Sequence, residues 1–329
     1  MNINNDFPIL NKNIIYFDNA ATTLKPKCVI NAMIDYYENY PANAHRGDYN
    51  ISFKVNDEID LCREKVKKFI NARRKEEIIF TSGATESLNM IVFGFFESIL
   101  NEGDEIVLSK SEHASNILPW YILSIKKKLK LKFIPLDEEN KISISNLLKT
   151  ITSKTKVISL AHITNVIGDI RNIEEIIEIA HSNNIYTVVD ASQSVPHIKT
   201  NVKEMDPDFL VFSGHKMCGP TGIGVLYGKY ELLNRMIPFK FGGGMNESFN
   251  EEKLILESIP FRFEAGTQNL SGIIGLRHAI EYIENIGFDE IHRHEIYLKK
   301  YLIKRLKEIP YIKIYNEFSE SSIVLINAK

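Results

Sequence analysis

The sequence is poor in cysteine. Three cysteines occur among 329 residues, Cys28, Cys62 and Cys218, with no CxxC pair and no spacing typical of a metal site. This pattern excludes a disulfide framework and a structural zinc module, and it is typical of proteins kept in a reducing compartment. We therefore expect a cytoplasmic protein without a metal site.

Long apolar runs and an excess of one charge are also missing. The most apolar stretch, MIVFGFFESIL (90–100), is too short to cross a bilayer and contains Glu97. The amino terminus, MNINNDFPILNKN, lacks the charged and apolar regions of a signal peptide. Lysine plus arginine (40) nearly balances aspartate plus glutamate (42), so neither a membrane nor nucleic acid is an expected partner.

Short apolar runs alternate with amphipathic segments over most of the chain. This alternation predicts an α/β fold with a mainly parallel sheet covered by helices on both faces. From about residue 272, long helical patterns such as 291–309 and a strand-like ending at 321–329 predict the start of a smaller α+β domain. The predicted strands of the large domain are 14–17, 77–81, 105–109, 131–136, 156–162, 186–190, 209–213 and 224–228, with helices between them, as at 56–71 and 172–184.

Polar side chains follow four of these predicted strands. Ligands of open α/β sheets bind outside the carboxyl ends of the strands, so we expect these side chains to converge on one site. They are His113 after 105–109, Asn165 after 156–162, Asp190 and Gln193 at the end of 186–190, and Ser213, His215 and Lys216 at the end of 209–213.

The stretch TSGATESLN (81–89) predicts an anion site. A strand enters a glycine turn, and Ala84 opens a helix that we expect to continue to about Leu100. The free N–H groups of a helix amino terminus, with the hydroxyls of Thr85 and Ser87, can donate to a phosphate. The stretch matches neither GxxxxGK[ST] nor GxGxxG, so it favours a single phosphate over a nucleotide.

A phosphate anchor, a strand-end aspartate and a lysine in a glycine-rich turn fit pyridoxal 5′-phosphate (PLP). Its aldehyde bonds covalently to a lysine, and its ring nitrogen needs a carboxylate that keeps it protonated. We therefore assign these two functions to Lys216 and Asp190. The simpler alternatives are a surface lysine for Lys216, helix caps for Asp190 and Thr85, a loop histidine for His113 and a structural ion pair for Arg46.

Seven motifs, in order from about residue 14 to the end, resemble a known family. They are YFDNAATT (16–23), HRG (45–47), TSGATESLN, SEHASN (111–116), DASQSVPH (190–197), SGHKMCGPTGIGVLYG (213–228) and RFEAGTQN (262–269). The set resembles the class V aminotransferase group of fold-type I PLP enzymes, and within it the Suf-type cysteine desulfurases that supply sulfur for iron–sulfur clusters. The resemblance implies a large PLP-binding domain (14–268) and a small domain (1–13 and 269–329).

The resemblance also implies roles for individual residues. Lys216 would form the Schiff base and remove the substrate's α-proton, and His113 would cover the ring face and assist proton transfer. Arg46 and Asn165 would contact the substrate, and Thr267 would reach the phosphate of a neighbouring subunit. The remaining cofactor contacts would be Asp190 to the ring nitrogen, Gln193 to the ring oxygen, Asn165 beside the cofactor, and Ala84, Thr85, Ser213 and His215 to the phosphate.

The activity that the resemblance implies is conversion of L-cysteine to L-alanine, with the sulfur passed to an enzyme cysteine. In the family that cysteine and a substrate-binding arginine lie in a later segment, so we expect both to be absent from residues 1–329. The expected partners are L-cysteine, a second subunit in a homodimer with shared active sites, and a sulfur-acceptor protein. The alternatives are a selenocysteine lyase or another class V enzyme, and a shortened, non-catalytic PLP-binding scaffold.

Overall fold

A computed structural model describes residues 3–44 and 47–329 and has an α/β fold around a central sheet. The strands are β1 (Ile78–Thr81), β2 (Glu105–Ser109), β3 (Lys130–Ile134), β4 (Thr155–Ala161), β5 (Tyr186–Asp190), β6 (Phe209–Ser213), β7 (Gly224–Gly228), β8 (Asn246–Phe249), β9 (Leu254–Leu256), β10 (Ile312–Ile314) and β11 (Ile326–Ala328). The helices are α1 (Lys27–Asn39), α2 (Asn50–Phe69), α3 (Ala84–Ile91), α4 (Glu97–Ile99), α5 (Leu118–Lys127), α6 (Ile144–Thr150), α7 (Ile173–Ser182), α8 (Val202–Met205), α9 (Tyr230–Arg235), α10 (Leu270–Ile286) and α11 (Phe288–Leu306).

The central sheet is mainly parallel, as predicted. Within the described residues it has seven strands in the order β1-β7-β6-β5-β4-β2-β3. The pairings from β6 through to β3 are parallel, and β7 runs antiparallel to both of its neighbours. In this register Asp190 pairs with Ala161 on one side and with Val211 on the other. The carboxyl ends of β4, β5 and β6 therefore lie next to one another.

Burial on both faces explains why the strands are nearly continuous in apolar residues. Along β6, Leu210 and Phe212 belong to the core on one face, and Phe209 and Val211 belong to the core on the other. Helices α2 and α10 supply apolar side chains to the first core, and α3 and α5 supply them to the second. A strand buried in this way must be apolar at every position rather than at every second one.

One sequence prediction about regular structure is wrong, and a second holds with a local irregularity. Residues 14–17 form no strand: Ile15 and Phe17 are 83% and 86% exposed, and no sheet strand pairs with this run. Apolarity alone does not supply a hydrogen-bonding edge. The helix predicted from Ala84 to Leu100 is interrupted by a π-helical segment, Val92–Phe96, where the Gly94 carbonyl accepts a 2.9 Å hydrogen bond from the Ile237 N–H. A Cβ at Gly94 would lie 2.5 Å from the Ile237 oxygen, so glycine permits this approach.

The carboxyl-terminal part is smaller and mixed in structure. Helix α10 packs on α1 and α2, and the strand predicted at 321–329 is reduced to β11, which pairs antiparallel with β10. The division into two domains at residue 268 stays a prediction. Over 3–44 and 47–329, none of the helices combines the length and apolarity needed to span a bilayer.

Candidate active site

Lys216 lies in a tight turn that begins where β6 ends. The N–H groups of Met217 and Gly219 both donate to the Gly214 carbonyl, at 3.0 Å each, and the Gly214 N–H donates to Ile223 at 2.9 Å. A Cβ at Gly219 would lie 2.8 Å from the Gly214 oxygen. The glycines are therefore needed to close the turn, which holds Lys216 at the carboxyl edge of the sheet.

The environment of Lys216 makes the neutral amine more accessible than it is in an ordinary lysine. Burial lowers the pKa of Lys216 below its ordinary value of 10.5, and the nearby Asp190 carboxylate opposes this shift only in part. Although the Asp190 charge affects Lys216, no ion pair within 4.0 Å joins the two side chains. A neutral amine is the nucleophilic form of lysine, which a carbonyl ligand requires.

Asp190 ends β5 and is 7% exposed. Its Oδ1 accepts a 3.0 Å hydrogen bond from the Ser192 N–H. Within the described ranges no hydrogen bond reaches Oδ2, and the buried Ser192 Oγ nearby also has no partner. A buried carboxylate with an unused oxygen is costly unless a ligand or a cation meets it.

An amino-terminal strap, residues 18–25, holds the lysine turn from outside. The His215 carbonyl accepts hydrogen bonds from the Thr23 N–H and hydroxyl, both at 2.9 Å, and from Lys25 Nζ at 3.2 Å. Thr23 Oγ1 also accepts a 2.8 Å bond from the Cys218 N–H. The strap thus fixes the backbone on both sides of Lys216, a role that sequence reasoning missed.

Gln193 belongs to the same contact region. Its Nε2 donates to the Ala20 carbonyl of the strap at 2.7 Å. The side chain is 6% exposed, so it is anchored close to the end of β5. Its predicted contact with a ring oxygen stays a prediction, and the structure adds a second function for it, attachment of the strap.

The predicted anion site is formed where β1 enters α3. Ser213 Oγ accepts a 2.9 Å hydrogen bond from the Ala84 N–H, which joins this turn to the end of β6. Thr85 is exposed at the first turn of α3. Ser87 does not contribute as predicted: its buried hydroxyl bonds Thr81 Oγ1 at 2.8 Å and the Gly83 carbonyl at 3.2 Å. The helix amino terminus, Thr85 and Ser213 remain candidates for the phosphate contacts, which stay a prediction.

His113 is linked to the anion site through Ser115. The His113 Nδ1 accepts the Ser115 N–H at 3.2 Å and lies 3.0 Å from Ser115 Oγ, which in turn lies 2.7 Å from Thr85 Oγ1. Because Nδ1 accepts a backbone N–H, the ring proton of neutral His113 is on Nε2. The structure therefore brings the predicted ring-covering residue and a predicted phosphate residue together.

The other predicted site residues lie at the rim. Asn165 is half-buried in the turn after β4. His215 is half-buried, and burial together with the charges of Lys216 and Lys25 lowers its pKa below the usual value of 6.5. Thr267 is exposed, and Asn43 Nδ2 donates to its hydroxyl at 3.3 Å. Arg46 lies outside the described residues.

The chain is similar to known proteins over nearly its whole length. Residues 15–329 match the family model described as aminotransferase class-V. A probable cysteine desulfurase of Halalkalibacterium halodurans is 41% identical over 326 residues, covering 98% of this chain and 80% of that protein. The chain belongs to the class V aminotransferase family.

Solved structures place the chain in the same part of the family. The cysteine desulfurase CsdA of Escherichia coli matches with a TM-score of 0.93 and 32% identity, over 99% of this chain and 82% of that one. The apo cysteine desulfurase of Thermococcus onnurineus NA1 matches with a TM-score of 0.92 and 39% identity, over 99% of this chain and 81% of that one. The resemblance to the class V cysteine desulfurases is confirmed, and the Suf-type branch stays a prediction.

The described residues fit the PLP of this family. The half-buried Lys216 follows β6 and the buried Asp190 ends the neighbouring β5, and the two side chains do not pair with each other. The start of α3, where we predict the phosphate, lies at the adjoining turn. An unsatisfied group such as Asp190 Oδ2 is expected where a bound molecule completes the hydrogen bonds.

The cysteines show no activated thiol. Cys62 is fully buried, which raises its pKa to about 12, and burial raises the pKa of Cys218 to about 11. Cys28 is exposed on α1, and its partial burial also raises the pKa. A thiol is nucleophilic as the thiolate, so all three are poor nucleophiles near neutral pH.

Proposed function

We infer that this protein is a PLP-dependent cysteine desulfurase that converts L-cysteine to L-alanine. The family match and the relatives support the reaction, and the Lys216–Asp190 arrangement is the observation in the chain that carries it. We further propose that the released sulfur serves iron–sulfur cluster assembly. The alternatives derived from the sequence gain no support, since the relatives named above are cysteine desulfurases.

The residues that would hold PLP are those at the carboxyl edge of the sheet. Lys216 Nζ would carry the covalent bond, and the free Oδ2 of Asp190 would hold the proton of the ring nitrogen by a charge-assisted hydrogen bond. Ala84, Thr85, Ser213 and His215 would bind the phosphate, and Gln193 and Asn165 would lie beside the ring. When bound, PLP supplies an electron sink for the pair left on the substrate Cα after proton loss.

Proton transfer is the task of Lys216 and His113. Lys216, whose pKa burial lowers below its ordinary value, would accept the proton from the cysteine Cα. His113 carries its proton on Nε2 because Nδ1 accepts the Ser115 N–H. The Nε2–H of His113 can therefore donate a proton, because the Ser115 N–H occupies only Nδ1.

Sulfur transfer requires a thiolate that attacks the substrate sulfur. With an added thiol the overall reaction balances as L-cysteine plus two thiols giving L-alanine, hydrogen sulfide and one disulfide. Cys62 is buried and Cys218 is half-buried, and their raised pKa values make both poor candidates for the acceptor. We propose a homodimer in which Thr267 contacts the neighbouring subunit's phosphate, a protein as the physiological acceptor, and a cytoplasmic location in keeping with the three free cysteines.

The test is cofactor attachment combined with product analysis. The protein purified with PLP should be yellow, and borohydride should fix the cofactor on Lys216, identified by peptide mass spectrometry. Alanine should form from L-cysteine with added thiol. A colourless protein, or reduction at another lysine, would reject the proposed function. Alanine release from selenocysteine alone would favour the selenocysteine lyase.

A further inference from the structure

A buried network at the carboxyl end of β2 and β4 has no part in the chemistry described so far. Its centre is Glu112, directly before His113, and its cationic partner is Arg171, in the segment before α7. The two side chains are 0% and 1% exposed. An ion pair removed from water in this way is weak evidence for stability alone, because the desolvation cost can exceed the attraction.

Glu112 holds the backbone of β4. Its Oε2 accepts the Ala161 N–H at 2.7 Å and Asn116 Nδ2 at 2.8 Å, while its Oε1 accepts from Arg171. Asn116 is itself bound by Ser159 Oγ at 2.5 Å. Burial raises the pKa of Glu112, and the Arg171 charge opposes that shift.

Arg171 joins the same two segments from the other side. Its guanidinium donates to the Ala161 carbonyl at 3.0 Å and to Ser111 Oγ at 2.9 Å, and it pairs with Glu112. Both backbone groups of Ala161 are therefore bound by this ion pair. Arg171 also binds Ser111 and Glu112, which precede His113 in the SEHASN stretch.

The network reaches Asp190 through the sheet. Ala161 is the register partner of Asp190, and the next residue, His162, donates its N–H to the Asp190 carbonyl at 2.9 Å. The charge of Asp190 also raises the pKa of Glu112, so the two carboxylates are close. One ion pair thus ties the residue before His113 to the strand beside Asp190.

We propose that Glu112 and Arg171 are positioning residues for the cofactor ring. They fix the separation between His113, which covers the ring face, and Asp190, which binds the ring nitrogen. This inference rests on the proposed function. It assigns to the pair a geometric role in PLP binding, beyond any contribution to folding.

The experiment compares Glu112→Gln with a matched control, Glu105→Gln. Glu105 opens the strand that Glu112 follows, and its side chain is 8% exposed against 0% for Glu112. It binds Thr152 at 2.6 Å and Lys132 at 3.3 Å, at the opposite end of the sheet. Both variants remove one buried charge, but only Glu112→Gln does so beside the proposed site of the PLP ring.

The first readout is the PLP dissociation constant of each folded apo variant, measured by absorption titration well below its unfolding temperature. For Glu112→Gln we expect an increase of about tenfold, equal to about 1.4 kcal/mol. For Glu105→Gln we expect no change. The kcat with L-cysteine should fall about a hundredfold in Glu112→Gln, the scale of a misplacement of about 1 Å.

A second variant guards against poor folding. Removing both charges, in Glu112→Gln with Arg171→Met, leaves no unpaired Arg171 and should recover part of the lost stability, although Asp169 loses the cation 3.7 Å away. Its PLP affinity should stay weak, because the hydrogen bonds from Arg171 to Ala161 and Ser111 are lost. Affinity that returns with stability, or a Glu112→Gln affinity equal to that of the wild type, would overturn the inference. Failure of the wild type to bind PLP on Lys216 would instead reject the proposed function.

Discussion

The two ends of the central sheet use buried polar residues in different ways. At the amino end, Asp208 accepts the Thr187 N–H at 2.8 Å and pairs with Lys229 at 3.2 Å. At the carboxyl end, Asp190 keeps one oxygen without a hydrogen bond among the described residues. Complete sets of partners identify residues that join strands, and incomplete sets identify residues that await a ligand.

The two glutamates flanking β2 show the same contrast in their titration. Burial alone would raise the pKa of Glu105, but hydrogen bonds from Thr152 and Lys132 outweigh it and lower the pKa below 4.5. Burial raises the pKa of Glu112 despite Arg171. At the amino end, hydrogen bonds stabilise the Glu105 carboxylate more than burial destabilises it. At the carboxyl end, burial has the larger effect on Glu112.

The largest expected effect comes from Lys216→Ala at the carboxyl end. Without its amine the enzyme cannot bond PLP covalently or accept the α-proton, so alanine formation should fall to background. Borohydride reduction followed by mass spectrometry measures the attachment. If borohydride still fixed PLP at another lysine, the contrast between the two ends of the sheet would be wrong, because Lys216 would then be only a cation at the end of a strand.

Asp190→Asn should have the next largest effect. An amide cannot hold the ring-nitrogen proton as an anion does, so kcat should fall about a hundredfold to a thousandfold, as when a preorganised charge partner is removed. Steady-state kinetics with L-cysteine measures this loss. Because the side chain keeps its shape, thermal unfolding of the apo protein should change little. A kcat near that of the wild type would remove Asp190 from the chemistry.

Glu105→Gln should change stability and leave the chemistry intact. The loss of a charge-assisted hydrogen-bond acceptor at a buried site should lower the free energy of unfolding by roughly 1–3 kcal/mol. The lowered pKa means that this contribution is present above about 4.5 and is lost as the pH falls through the folded-state value. The variant's stability should therefore depend less on pH in acid, measured by urea unfolding. A changed kcat per folded enzyme would contradict the separation of the two ends.

Cys218→Ala should have the smallest effect. Cys218 follows the lysine turn closely, but its buried thiol has a pKa of about 11 and is not a thiolate near neutral pH. Alanine formation with an added thiol as sulfur acceptor should be unchanged within error. Loss of that activity, with PLP still bound on Lys216, would instead make Cys218 the sulfur acceptor.

The sequence predicted strands well where both faces are buried. The predicted runs 105–109, 186–190, 209–213 and 224–228 coincide with β2, β5, β6 and β7. Continuous apolarity is decisive there because each residue meets one of two cores. At 14–17 the same apolarity misled, because strand formation also needs a neighbouring edge, which sequence does not reveal.

The site was predictable only in the residues that adjoin strand ends. Lys216, Asp190 and His113 carry a local signal, since Asp190 ends an apolar run and the other two lie in the turns that follow one. Partners from distant segments carry none: 59 residues separate Arg171 from Glu112. Ser87 shows the converse, because its place at a helix start predicts a free hydroxyl, whereas the fold directs it to Thr81.

The amino-terminal strap has a consequence for the order of folding. The hydrogen bond from Thr22 to the His215 carbonyl joins residues 193 positions apart, so it closes a very long loop. Contacts of such separation carry a large entropic cost and form late. During synthesis the strap leaves the ribosome before the lysine turn that it binds, so the hydrogen bonds between the two segments form only after Lys216 has been added.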